Sequence, residues 1–106
     1  MRRWFHAHPE IAEKEFVTSA KIKEELTKYG IQWRPCGLQT GVLATVVGAK
    51  PGKTILLRAD MDALPVTEET GAPYASTNAG FMHACGHDCH TASLLTAARL
   101  IHDHRD

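Results

Sequence analysis

Nine consecutive residues, Met82-His83-Ala84-Cys85-Gly86-His87-Asp88-Cys89-His90, hold three histidines, two cysteines and one aspartate. No other stretch of the chain gathers so many groups able to bind a divalent metal. Thiolate and imidazole together suit zinc, and imidazole with carboxylate also suits manganese, cobalt or nickel. Only Gly86 separates Cys85 from His87. Its missing β-carbon permits backbone angles that let a loop turn both side chains toward one centre. A second polar group, Asp60-Met61-Asp62, follows directly on the apolar run Ile55-Leu56-Leu57. On an extended segment, alternation sends Asp60 and Asp62 to the same side.

The elements that must position these groups follow from periodicity. Between Pro9 and Tyr29 the apolar residues Ile11, Phe16, Ala20, Ile22 and Leu26 recur at roughly helical spacing among Glu and Lys. Thr18 to Tyr29 therefore reads as an amphipathic helix stopped by Gly30. Gly41–Val47 and Thr54–Arg58 are β-rich runs joined by a segment containing Pro51-Gly52, the pattern of a hairpin, and Ile31–Pro35 is a candidate further strand. Residues 65–81 hold Gly/Pro turns with little periodicity, which predicts a long loop of the kind that often carries function. Asp88 to His104, with Ala92, Leu95, Ala98 and Ile101, reads as a second helix. The Cys/His cluster then lies at a helix N-terminus and the Asp pair at a strand end. In α/β proteins ligands gather at both places, so the two groups are expected to converge.

Bulk properties narrow the class. A chain of 106 residues is one domain at most. Hydrophobic residues make up 43% and charged residues 23%, enough to form a soluble core. Lys+Arg and Asp+Glu balance at 12 each, so nothing draws the chain to nucleic acid or an anionic membrane. No apolar run is long enough to span a bilayer, and no hydrophobic segment follows the basic N-terminus as a signal peptide requires. Three cysteines, two of them among histidines, argue against a disulfide framework and for a reducing, cytoplasmic setting.

Four motifs occur in order: Arg2-Arg3-Trp4-Phe5-His6-Ala7-His8-Pro9-Glu10, Leu57-Arg58-Ala59-Asp60-Met61-Asp62-Ala63-Leu64-Pro65-Val66, Glu69-Thr70-Gly71-Ala72-Pro73-Tyr74, and Met82–His90. In order and spacing the chain resembles the N-terminal part of the metal-dependent amidohydrolases, a family that includes hippurate hydrolases, N-acyl-amino-acid deacylases and auxin-conjugate hydrolases. The resemblance implies that residues 1–106 are the N-terminal part of a catalytic domain: a partial α/β sandwich of the zinc-exopeptidase type, with two helices and a few strands, lacking the lid and dimerisation domain. It also implies amide hydrolysis of N-acyl amino acids or related conjugates, two divalent metals per complete site (zinc, manganese, cobalt or nickel), and a homodimer formed through the missing lid. By motif, Cys85 and His87 match the first two metal ligands. Asp62 matches an aspartate that orients a ligand or polarises the site, with Asp60 beside it as a second catalytic candidate. The general-base glutamate and the remaining ligands of the family fall beyond Asp106, so the chain reads as a fragment that is inactive alone.

Each of these residues also has a structural reading. Asp88 is expected as a helix N-cap, as a partner fixing a ligand imidazole, or as both. His90, one turn after His87, is expected near the metal without ligating it, and His83 as lining the pocket or as structural. Cys89 is expected to pack and Cys36 to be inert in a turn. Glu68 and Glu69 precede the Gly-His-Asp segment, whereas the family's catalytic pair follows it, so both are expected to be structural or solvent-facing. His6, Pro9 and Glu10 are expected to anchor the first helix, and His8, His102 and His104 to lie at the surface. The rival class is a small zinc-binding or interaction module without catalysis, in which His83, Cys85, His87 and His90 close one site. That reading leaves the Arg58–Pro65 motif unexplained.

Overall fold

In the computed structural model, which describes residues 1–106, helix α1 (Arg2–Ala7) opens the chain and α2 (Phe16–Lys28) follows it. Strands β1 (Gln32–Pro35) and β2 (Val42–Thr45) come next, and α3 (His87–Asp103) closes the order. The molecule is thus mixed α/β with three helices rather than the two expected from periodicity.

The bounds of α2 have local causes. Its N-cap residue Glu15 makes no side-chain cap. The carboxylate of Glu10 does that work from outside the helix, accepting the backbone N–H of Val17 at 3.0 Å and of Thr18 at 2.6 Å. At the other end Gly30 takes φ +76, Ile31 N–H reaches Leu26 O at 2.9 Å, and Gly30 N–H reaches Thr27 O at 3.1 Å. This is a Schellman closure, accompanied by burial of Ile31 and Leu26. Gly30 is therefore the stop that the sequence suggests.

The core gathers Phe5 from α1, Ile22 and Leu26 from α2, Ile31, and Ala92 and Leu95 from α3. The hairpin leans on it through Val42 and Ala44. β1 and β2 pair antiparallel, with Trp33 opposite Ala44 and Arg34 opposite Leu43.

Two sequence expectations fail in one place. Thr54–Arg58 forms no strand, and the hairpin is not the one turned by Pro51-Gly52 but the one joining Gln32–Pro35 to Val42–Thr45. The apolar pattern at Ile55-Leu56-Leu57 is strand-like, yet no neighbouring strand pairs with it, and Ile55 and Leu56 stand 81% and 78% exposed. Phe16 and Ile101, read as part of apolar helix faces, are also exposed. Residues 65–81 carry neither helix nor strand, as expected. No helix is long and apolar enough to cross a membrane.

Candidate metal centre

Two backbone pairings hold the Asp60–Asp62 segment, one to the chain after α1 and one beside the Cys85–His87 turn. Ala63 N–H donates to Glu10 O at 2.7 Å, in register with a parallel bridge between Ile11 and Ala63. Leu64 and Met82 exchange both backbone bonds, at 2.9 and 3.0 Å, which closes the base of the 65–81 loop. The chain therefore leaves this segment at Leu64 and returns at Met82 beside it, three residues before Cys85. Gly86, the N-cap of α3, has φ +103, a left-handed conformation that the missing β-carbon makes accessible.

The ring of His87 is turned by Asp62. Its Nδ1 lies 2.9 Å from Asp62 Oδ1 and 3.0 Å from the Asp62 carbonyl oxygen. A carbonyl oxygen only accepts, so Nδ1 carries the proton and donates, which leaves the Nε2 lone pair free. Asp60 Oδ2 stands 3.9 Å from that Nε2, and the backbone carbonyl of Asp60 accepts from the Thr91 hydroxyl of α3 at 2.9 Å. The Asp60–Asp62 segment and the start of α3 thus meet through Asp60, Asp62 and His87. An imidazole held at one nitrogen by a carboxylate, with the other free, is the arrangement metal-binding histidines adopt. Cys85 is exposed with a free thiol. The donor types therefore fit a borderline-soft divalent metal, but no group of three or more His, Cys, Asp or Glu is placed to hold one.

The other candidates fall elsewhere. Asp88 is not the N-cap, a place taken by Gly86, and it makes no hydrogen bond to the His87 ring. It is 1% exposed and turned toward α1, where His6 Nδ1 lies 2.9 Å and Arg2 Nε 2.8 Å from its Oδ2. Burial pushes this carboxyl up, but His6, the Cys89 N–H and the Arg2 charge outweigh it and hold it below the usual carboxylate range. His90 is exposed, its ring centroid 6.1 Å from that of His87. His83 is buried, makes no hydrogen bond to the protein through either ring nitrogen, and has its pKa lowered by burial. Cys89, expected to pack, is exposed, as is Cys36. Glu69 faces solvent.

Sequence reasoning missed how much Glu68 and His6 do. The Glu68 side chain is 3% exposed and accepts at Oε1 from His6 Nε2 and from the Ser76 N–H, each at 2.9 Å. A hydrogen bond from the Thr70 hydroxyl, the Ser76 N–H and His6 together hold its carboxyl below the usual range despite burial. Arg2 and His6, four residues apart on one helix face, were the available signal that α1 turns charged groups inward.

Residues 56–106 match peptidase family M20/M25/M40. An N-acetyl-L-cysteine deacetylase of Bacillus subtilis is 54% identical over the whole of this chain, which spans 26% of that protein. Thermostable carboxypeptidase 1 of Saccharolobus solfataricus is 48% identical, again over the whole chain and over 27% of its own length. The crystal structure of a dinuclear metal-binding M20 peptidase from Bacillus subtilis superposes with a TM-score of 0.95 at 45% identity, over 99% of this chain and 30% of that one. The chain thus spans about a quarter of the length of the curated relatives it matches.

Proposed function

We propose that this chain, which belongs to peptidase family M20/M25/M40, supplies two ligands, Cys85 and His87, to the metal centre of a hydrolase acting on the amide bond of N-acyl amino acids or related conjugates. The observation that carries this reading is the His87 ring, protonated at Nδ1 against Asp62 and open at Nε2. A bound divalent metal, of which a complete site takes two, would supply Lewis-acid activation of water and of the amide carbonyl.

The residues of this chain do the positioning. Asp62 fixes the tautomer and the angle of the His87 ring. Asp60, facing Nε2 at 3.9 Å, adds negative charge where a cation would sit. Gly86 sets the turn that separates the Cys85 thiol from the His87 ring. In a reducing, cytoplasmic setting Cys85 stays a free thiol able to ligate as thiolate.

Support for the substrate class comes from the relatives, a deacetylase of N-acetyl-L-cysteine and a carboxypeptidase, both named for cleaving an amide beside an amino acid. The non-catalytic zinc module gains nothing from the geometry, since His83, Cys85, His87 and His90 are not gathered as one donor set.

The test uses a family-length protein carrying residues 1–106 at its N-terminus. Cys85→Ala or His87→Ala should lose one metal equivalent by elemental analysis and nearly all hydrolysis of N-acetyl amino acids. Full metal content in both variants would sink the ligand assignment. The 106-residue chain alone, with zinc or manganese, should hydrolyse N-acetyl and N-benzoyl amino acids no faster than the metal blank.

A further inference from the structure

We propose that His6 is a positioning residue for the ligand turn, acting through Asp88 on the first turn of α3 and through Glu68 on the 65–81 loop. His6 is 4% exposed, and each ring nitrogen faces a carboxylate oxygen at 2.9 Å: Nδ1 faces Asp88 Oδ2 and Nε2 faces Glu68 Oε1. A ring so placed bridges both carboxylates at once. No other common side chain offers two donors at opposite ends of a rigid plane in so small a volume. Arg2 completes the group from the next turn of α1, with its Nε on the same Asp88 oxygen. Tyr74 of the loop stands edge-on to the His6 ring, 5.6 Å between centroids, and lies under the Arg2 and Arg3 guanidinium groups.

Asp88 is the second residue of α3, directly after His87. A carboxylate buried at that point and tied to α1 fixes the rotation of the helix start, and with it the direction in which the His87 ring leaves the backbone. On its other side His6 holds Glu68, which accepts from the Ser76 N–H and the Thr70 hydroxyl. The far end of the same loop is fastened to the end of α1, where Thr77 N–H donates to Ala7 O at 2.9 Å and Asn78 Nδ2 to Pro9 O at 3.0 Å. Glu68 of the loop and Asp88 of α3 therefore share one fixed point in His6.

The inference rests on reading His87 as a metal ligand, but its test reads the ring without metal. Nitrogen NMR of isotope-labelled histidine in the metal-free chain should show His87 in one tautomer, with the proton on Nδ1. His6→Gln removes one of the two donors, and Asp88→Asn severs only the carboxylate link at the helix start. Both should turn that pattern into an averaged one. Thr18→Val, which removes a buried hydroxyl bonded to Glu10, lowers thermal stability elsewhere and should leave His87 unchanged. A His87 pattern unmoved in both variants, or moved equally by Thr18→Val, overturns the proposal, and Asp88→Asn decides alone if His6→Gln does not fold. Zinc added to a family-length protein carrying residues 1–106 should shift the His87 Nε2 signal. Failure of that arm rejects the ligand reading and leaves the positioning result standing.

Discussion

At the scale of single residues, the candidate centre depends on two features a substitution can isolate. Gly86 has φ +103 with open space where a β-carbon would sit, so Gly86→Ala meets backbone strain and no clash. It should cost about 1–2 kcal/mol in denaturant unfolding. A variant as stable as the parent would show that the turn does not need this conformation. Asp62→Asn keeps an oxygen that can accept from His87 Nδ1 but removes the charge. In a family-length protein it should weaken metal binding by about 10–100-fold in a chelator competition. An unchanged affinity would separate Asp62 from the metal. The turn that carries Cys85 and His87 was legible in the sequence because it is local, and Gly86 takes the left-handed backbone that its missing β-carbon allows. Asp62 was expected at a strand end; no strand forms there, but the carboxylate does reach the His87 ring. The partnership of His6 with Asp88 was not legible, because it joins residues 82 positions apart. Nothing in a single sequence reports a pairing of that range.

Among the elements, α2 offers the clearest test of a cap supplied from outside. Glu10→Ala removes the acceptor for two helix N–H groups and for the Thr18 hydroxyl. The loss of an ordinary N-cap costs about 0.5–2 kcal/mol, and this variant should fall in that range by thermal or urea unfolding. The loop closure at Glu68 carries a pH dependence. Folding lowers the proton affinity of this carboxyl, so in the acid range the unfolded chain binds the extra proton. Its contribution is complete above the usual carboxylate range and is lost as pH falls through the lower folded value. Acid unfolding of Glu68→Gln should be less steep than that of the parent, and equal steepness would remove Glu68 from the account. The α2 helix was readable because its apolar spacing and the Gly30 stop agree with the burial of Ile22 and Leu26. The strand at Thr54–Arg58 was not, because β-propensity states what a segment fits and not whether a neighbour is there to receive it. Pro51-Gly52 looked like the hairpin turn, yet the pairing partner of Val42–Thr45 lies on its other side, at Gln32–Pro35.

Taken as a whole molecule, the chain buries few large apolar residues and displays others. Ile55, Leu56 and Leu57 form a run with no backbone–backbone hydrogen bonds, and Val47 beside the hairpin is 75% exposed. A segment of this kind, apolar and open on both edges, leaves its backbone groups free to pair with another strand. The chain should self-associate with rising concentration in sedimentation velocity, and Ile55→Lys should reduce that association without changing the helical signal. A monomer at every concentration would show that Lys53 and Arg58, which flank the run, are sufficient protection. The tie between His6 and Asp88 has a consequence in time as well as in space. It spans most of the chain, from the first helix to the last, so the ordering of the intervening loops must precede most of what the contact returns. The α2 helix and the β1–β2 hairpin can form early from near neighbours. The ligand turn should gain its final geometry last, when the N-terminal helix docks. Stopped-flow refolding should therefore show His6→Gln speeding unfolding while leaving the folding rate nearly unchanged, the behaviour of a contact made after the rate-limiting barrier.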